Sequence, residues 1–68
     1  MTNAYYINNN NLNNIDINGK VKTISKNIYK VYNCNNGATV VFSKKDKSGN
    51  EIFYRKTANK KANKLCTT

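Results

Sequence analysis

The sequence predicts an all-β fold, either a small five-stranded antiparallel meander or an SH3-like or OB-like barrel. Apolar and β-branched residues alternate with polar ones in several short runs, which is the pattern of half-buried strands. Each of the three glycines follows Asn or Ser, as expected where a hairpin turn needs a positive φ. At 68 residues the chain forms one domain at most, with a thin hydrophobic core.

The N-terminal region predicts one short strand, residues 5–7, followed by a polar loop. Residues 8–14 are asparagine except for Leu12, and asparagine tolerates turn and left-handed conformations. We therefore expect an Asn-rich loop over residues 8–14.

The segment that follows predicts a β-hairpin with a three-residue loop ending at Gly19. This loop length places Gly19 in the left-handed position of a G1 bulge and sets Asp16 opposite Lys20. On the next rung Ile15 meets Val21, so two β-formers share one face. A two-residue Asn-Gly turn would separate them, and the longer loop is the prediction.

Residues 40–56 predict a second hairpin by the same logic, with Gly49 at the end of its loop. Lys45 then opposes Glu51 and Phe42 opposes Tyr54. The face expected to enter the core carries Val40, Phe42, Ile52 and Tyr54. The other face is more polar and carries Val41, Ser43, Lys45, Glu51, Phe53 and Arg55.

The region between the hairpins predicts a strand that is partly buried on both sides. Ile28, Tyr29, Val31 and Tyr32 favour strand but fall on both faces. The Asn-Gly pair downstream marks a turn, but the sequence does not determine the length of its loop. A change of one residue there decides whether Ile28 and Tyr32 or Tyr29 and Val31 point inward.

The composition pattern divides the chain into a β-domain, residues 1–56, and a basic C-terminal tail, residues 57–68. Ala58, Ala62 and Leu65 have helical spacing in the tail. A helix this short is marginal by itself. The tail is therefore expected either to form one or two helical turns or to fray.

The side-chain inventory argues against catalysis, cofactors and metal. The chain has no His and three acidic residues, which are placed at turns or opposite a lysine. Cys34 and Cys66 lack the paired spacing of a zinc site. With no secretory leader recognised, we expect both to be free thiols in a reducing, intracellular setting, with a disulfide as the alternative.

Charge is the feature that points to function. Twelve basic residues against three acidic ones give a net charge of +9 at pH 7, enough to attract polyanions from solution. All but one of the basic residues are lysines, which act as point charges and do not read bases. We therefore predict sequence-independent binding of DNA or RNA by a non-enzymatic protein. The expected contact residues are Lys44, Lys45, Lys47, Phe53, Arg55, Lys56, Lys60, Lys61 and Lys64.

The alternative prediction is a viral or phage structural accessory, or an inhibitory protein, that docks on an acidic protein partner. The abundance of Asn, Lys, Ile and Tyr indicates AT-rich coding, typical of some bacteria, their phages and other viruses. The chain has no apolar run approaching the ~18 residues of a membrane span. We expect a soluble protein in the cytoplasm, in an infected cell or in a virion, without membrane contact.

Overall fold

The computed structural model describes residues 3–58, 62 and 64–66, whose strands form two three-stranded antiparallel sheets. The first sheet contains, in spatial order, β1 (Ala4–Asn8), β2 (Asn11–Ile15) and β3 (Val21–Ser25). The second contains β4 (Lys30–Asn35), β5 (Thr39–Lys45) and β6 (Glu51–Thr57). Within each sheet every strand pairs with its sequence neighbour, so both sheets are meanders.

The all-β class is confirmed, whereas the five-strand count and the barrel are wrong. The Asn-rich segment is itself a hairpin: β1 and β2 are joined by Asn9 and Asn10, whose φ values are 53° and 62°. Two consecutive left-handed residues make a type I′ turn, and asparagine adopts that region more readily than most residues. The predicted loop over residues 8–14 therefore supplies a sixth strand, and the described strands form two open sheets.

The hairpin between β2 and β3 has the predicted loop. Ile15 pairs with Val21, the Asp16 amide donates to the Lys20 carbonyl at 3.0 Å, and Gly19 has a φ of 83°. The local hydrogen bonds and the left-handed glycine thus fix the register that brings the two apolar residues together.

The hairpin between β5 and β6 also has the predicted loop and register. Asp46 Oδ1 accepts a hydrogen bond from the Asn50 amide at 2.8 Å, and Gly49 has a φ of 84°. The two strands then pair without a break, so Phe42 opposes Tyr54. Their rings stack with centroids 5.3 Å apart.

The hydrophobic core is small and joins the two sheets. Its buried cluster consists of Leu12 from β2, Val40 and Phe42 from β5, and Ile28 from the segment before β4. Partly buried side chains surround it: Tyr5, Ile7, Val31, Cys34 and Cys66. A backbone hydrogen bond from the Ile28 amide to the Asn10 carbonyl, 2.8 Å long, reinforces the same junction.

The predicted core face of the second hairpin is buried on β5 and exposed on β6. Val40 and Phe42 are buried as expected, but Ile52 and Tyr54 are 41% and 42% exposed. The reason is that β6 is an edge strand of its sheet, while the buried cluster gathers over the central strand. Tyr54 nevertheless covers one side of Phe42.

The strand between the hairpins follows neither of the two predicted facings. Ile28 is 7% exposed and Val31 is partly buried, while Tyr29 and Tyr32 point outward. Ile28 can turn inward because β4 begins only at residue 30. The register against β5 then shifts between residues 31 and 33, which is a bulge with Tyr32 as the extra residue.

A disulfide joins Cys34 of β4 to Cys66, so the expectation of free thiols is wrong. The two Cα atoms are 5.5 Å apart although the residues are 32 positions apart in sequence. Both side chains pack against the core, so Cys66 lies beside β4 in the folded protein. This proximity is a tertiary feature that cysteine spacing does not indicate. The disulfide therefore gives no support to the predicted reducing setting.

The described part of the C-terminal tail contains no helical turn, contrary to one of the two predictions. Residues 62 and 64–66 are irregular, and β6 continues to residue 57. The Ala58 amide donates to the Ala38 carbonyl at 2.7 Å, which continues the ladder by one bond. The tail is held by this bond and by the disulfide, and the domain division at residue 56 stays a prediction.

The left-handed glycine of the second hairpin gives a stability prediction. A Cβ at Gly49 would meet nothing within 4 Å, so Gly49→Val should cost only backbone strain, about 1–3 kcal/mol of unfolding free energy. Gly49→Asn should cost much less, because asparagine tolerates this φ. Thermal and urea melts measure both. Equal losses in the two variants would contradict the backbone explanation.

The disulfide gives a second prediction. Cys34→Ser with Cys66→Ser should lower the free energy of unfolding by about 3–4 kcal/mol, because the bond closes a loop of 32 residues in the unfolded chain. Denaturant melts with and without reductant measure the loss. The double variant is the control, since reductant should not change its stability. A parent protein indifferent to reductant would refute the prediction.

Candidate nucleic-acid interface

The second sheet has one face toward the core and one face toward solvent, and β5 contributes to both. Phe42 points into the core, so its neighbour Ser43 points to the opposite side. In the ladder Ser43 lies between Lys30 on β4 and Phe53 on β6. An aromatic ring and a cation are therefore set across one serine, on the side away from the core.

The adjacent rungs on this side place further cations on either side of Phe53. In one direction Lys45 pairs with Glu51, and in the other Val41 pairs with Arg55. Positions two residues apart on a strand are separated by about 7 Å. We call the whole set the ring–cation face: Tyr29, Lys30, Tyr32, Lys45, Phe53 and Arg55.

Tyr32 reaches this face because of the bulge in β4. Its ring centroid is 5.4 Å from that of Phe53, with the ring planes tilted by 49°. Its hydroxyl donates a hydrogen bond to the Glu51 carboxylate, and Lys30 Nζ lies 5.3 Å from its ring centroid. A ring, a carboxylate and a cation thus hold Tyr32 in one position.

Tyr29 extends the face beyond the start of β4. Its amide donates to the Ser43 carbonyl at 2.8 Å, which fixes the backbone next to the central strand. Lys45 Nζ lies 4.5 Å from the Tyr29 ring centroid, within the range of cation–π contacts. Both outward tyrosines therefore carry a lysine over the ring.

Ser43 is fully buried beneath this layer, yet its hydroxyl has no hydrogen-bond partner of regular geometry. The Glu51 carboxylate is nevertheless near enough for this hydroxyl to lower the pKa of the carboxyl, so the hydroxyl interacts with the carboxylate without a hydrogen bond of regular geometry. The side chains above it, Tyr32 and Glu51, are hydrogen-bonded to each other. Polar groups therefore lie both beneath the exposed rings, at Ser43, and beside them, at Glu51.

The Tyr32–Glu51 hydrogen bond changes the titration of both groups. It raises the pKa of the Tyr32 phenol above its ordinary value, with partial burial as a weaker cause. The nearby Ser43 hydroxyl, followed by the Tyr32 hydroxyl, lowers the pKa of the Glu51 carboxyl. At neutral pH the pair is therefore a neutral phenol on a carboxylate.

The three rings of this face are unusually open to solvent. Phe53 is 61% exposed, Tyr29 55% and Tyr32 46%. Single exposed apolar residues are normal, but a contiguous group marks a surface that binds something. The core cluster of the described residues contains only four buried side chains. The three rings lie outside it and remain exposed although they could have enlarged it.

Three of the predicted contact residues, Lys45, Phe53 and Arg55, come together on the ring–cation face. Lys44 and Lys56 project from the other side, since their ladder positions alternate with these. The predicted contacts are therefore divided between two sides of the sheet.

The remaining predicted contacts lie away from the ladder. Lys47 is in the loop between β5 and β6, where it is exposed. Lys64 is exposed two residues before Cys66, which packs on the core side. Lys60 and Lys61 lie outside the described residues. A role for these lysines in binding stays a prediction.

Sequence reasoning noted the rings at Tyr29 and Tyr32 but did not include them, or Lys30, among the contacts. Ordinary strand alternation cannot send 29 and 32 to the same side, because their separation is odd. The late start of β4 and the bulge at Tyr32 achieve it. A tyrosine on each side of a Lys-Val pair was the only sequence feature that pointed there.

The sequence matches no family model, and no curated protein or solved structure matches it. Among residues 3–58, 62 and 64–66, no helix is long and apolar enough to cross a membrane. The chemistry of the ring–cation face is therefore the basis for assigning a function.

Titration of Tyr32 tests the geometry of the face. Because the Glu51 carboxylate raises the pKa of the phenol, Glu51→Gln should return that pKa toward about 10. The unfolded state loses this proton first, so the parent protein should lose stability as pH rises past that value. Phenolate absorbance against pH measures the shift, and Tyr32→Phe identifies the group. Identical curves for parent and Glu51→Gln would contradict the hydrogen bond.

Proposed function

We propose that this protein binds nucleic acid without sequence preference, through the ring–cation face of its second sheet. The observation that carries the proposal is the grouping of three exposed rings with three cations on the side of the sheet away from the core. Lysine and arginine bind phosphates, and rings on a β-surface stack on bases.

The charge of the whole chain supports the same function. A net charge of +9 on 68 residues attracts a polyanion over a range set by salt, about 8–10 Å at physiological ionic strength. The cations of the face then fix the bound strand locally. Since Lys30 and Lys45 are point charges, they favour phosphates over base edges.

Glu51 works against this function, because its carboxylate repels phosphate at the edge of the face. It has a structural task instead, since it holds the Tyr32 hydroxyl. Glu51 thus fixes the position of the Tyr32 ring on the face while adding one negative charge at its edge.

A second candidate function is docking of the basic chain on an acidic protein, as a structural accessory or an inhibitor. It is supported by the hairpin between β2 and β3, where Ile17, Val21 and Ile24 are exposed. Lys20 and Lys22 lie beside them. Exposed apolar side chains with lysines beside them on one hairpin suit a protein surface better than a nucleic acid.

The salt dependence of binding tests the proposed function. The slope of log affinity against log salt should fall by about 2–3 units in the triple variant Lys30→Gln, Lys45→Gln and Arg55→Gln. Each phosphate contact releases counterions on binding, and the variant no longer makes three of these contacts. Fluorescence anisotropy with a labelled oligonucleotide between ~50 and 200 mM salt measures the slope.

The matched control removes three charges from the first sheet region, with Lys20→Gln, Lys22→Gln and Lys26→Gln. It lowers the net charge equally and should change the slope much less. Equal losses in the two triple variants would show that binding follows total charge and not this face. If the parent protein binds neither DNA nor RNA at the low-salt end, the acidic-protein function takes its place.

The tail lysines form a separate set in the same experiment. Lys60→Gln, Lys61→Gln and Lys64→Gln should leave the melting temperature unchanged. If the tail binds phosphates, the slope falls by a further 2–3 units on duplex DNA. An unchanged slope would remove Lys60, Lys61 and Lys64 from the contacts while the ring–cation face stands.

A further inference from the structure

We infer that the ligand of the ring–cation face is single-stranded nucleic acid and that Phe53 is the principal stacking platform. This inference rests on the proposed function and adds the class of ligand. Its observations are the openness of the three rings, the placement of the lysines over two of them, and the spacing between ring centres.

Phe53 is the ring best suited to receive a base. It is the most exposed ring of the face, and among the described residues no cation lies over it, unlike Tyr29 and Tyr32. Lys45 and Arg55 occupy the rungs on its two sides, each about 7 Å along the sheet. A base on Phe53 therefore has a cation available on either side for its flanking phosphates.

Tyr32 supports Phe53 from the neighbouring part of the sheet. Its ring is fixed by the hydrogen bond to the Glu51 carboxylate and by a tilted ring contact with Phe53. A ring already held in place loses little conformational freedom on binding, so stacking on it costs less than on a mobile side chain. Lys30 and Lys45 lie over the tyrosine rings in the free protein and are near enough to move to phosphates when a strand arrives.

The spacing of the rings excludes bases that are stacked on one another. Ring centres 5.4 Å apart with their planes tilted by 49° do not form a parallel pair of surfaces, whereas successive bases of a helical strand lie parallel at about 3.4 Å. Two successive bases that each stack on one of these rings are therefore unstacked from one another. In a duplex the base faces are covered by neighbouring pairs, so only an unpaired strand presents them.

Stacking of this kind explains how binding is both base-dependent and indifferent to sequence. Every base has a π-face, so rings accept all four, and the lysines carry no base-reading geometry. The face therefore requires bases to be present and unpaired, without selecting which they are.

The test compares three labelled ligands of about 10 nucleotides: a thymidine strand, an abasic strand of equal length and a duplex. The parent protein should bind the thymidine strand most tightly. Its advantage over the duplex should grow as salt is raised, because the phosphate contribution falls more steeply for duplex DNA. Anisotropy titrations at two salt concentrations measure all three affinities.

The decisive variant is Phe53→Leu, which removes the ring while keeping an apolar side chain at an exposed position. It should weaken binding to the thymidine strand by about 5- to 150-fold and leave binding to the abasic strand unchanged. Tyr54→Leu is the matched control. Tyr54 is the aromatic residue next to Phe53 on β6, and its side chain lies on the opposite side of the sheet. Thymidine-strand affinity should be retained in the control.

The outcomes separate this inference from the function on which it rests. Equal binding of duplex, thymidine and abasic strands, unaffected by Phe53→Leu, would overturn single-strand recognition while nucleic-acid binding stands. Loss of thymidine-strand affinity in Phe53→Leu and Tyr54→Leu alike, at a temperature at which melting curves show both variants folded, would also overturn it. Absence of binding to all three ligands at low salt would overturn both.

Discussion

The register between β5 and β6 is the constraint on which the remainder of the structure depends. It is set within five residues, where the Asp46 carboxylate accepts a hydrogen bond from the Asn50 amide and Gly49 has a left-handed φ. With that register Phe42 enters the core and Ser43 lies under the exposed rings. A slip of one residue would exchange the two faces of β5, placing a serine in the core and a phenylalanine under the rings.

The bulge at Tyr32 is the second feature that determines which residues of β4 face the core and which face solvent. The strand has to give Val31 and Cys34 to the core, which strict alternation over three positions does not allow. One extra residue restores the parity, and Tyr32 projects from the solvent side as a result. The same irregularity thus completes the core and supplies a ring to the candidate site.

The features that the sequence predicts correctly are local ones. The loops ending at Gly19 and Gly49, and the strand pairing that follows from them, depend on turn chemistry within a few residues. The turn at Asn9 and Asn10 was missed because consecutive asparagines suit a loop as well as a type I′ turn. The bulge and the Cys34–Cys66 bond depend on distant packing, so the sequence placed Lys45, Phe53 and Arg55 on one side of the sheet but did not place the tyrosines there.

Pairing of each strand with its sequence neighbour has a consequence for how the chain folds. Each sheet is assembled from adjacent hairpins, so its contacts have low sequence separation and little loop-closure entropy opposes them. Hairpins form in about 1–10 μs, and each half can begin independently of the other. We expect the meeting of the halves, where Ile28 reaches Leu12 and Cys66 reaches Cys34, to come late, so partially folded molecules should hold well-formed turns before they possess a common interior.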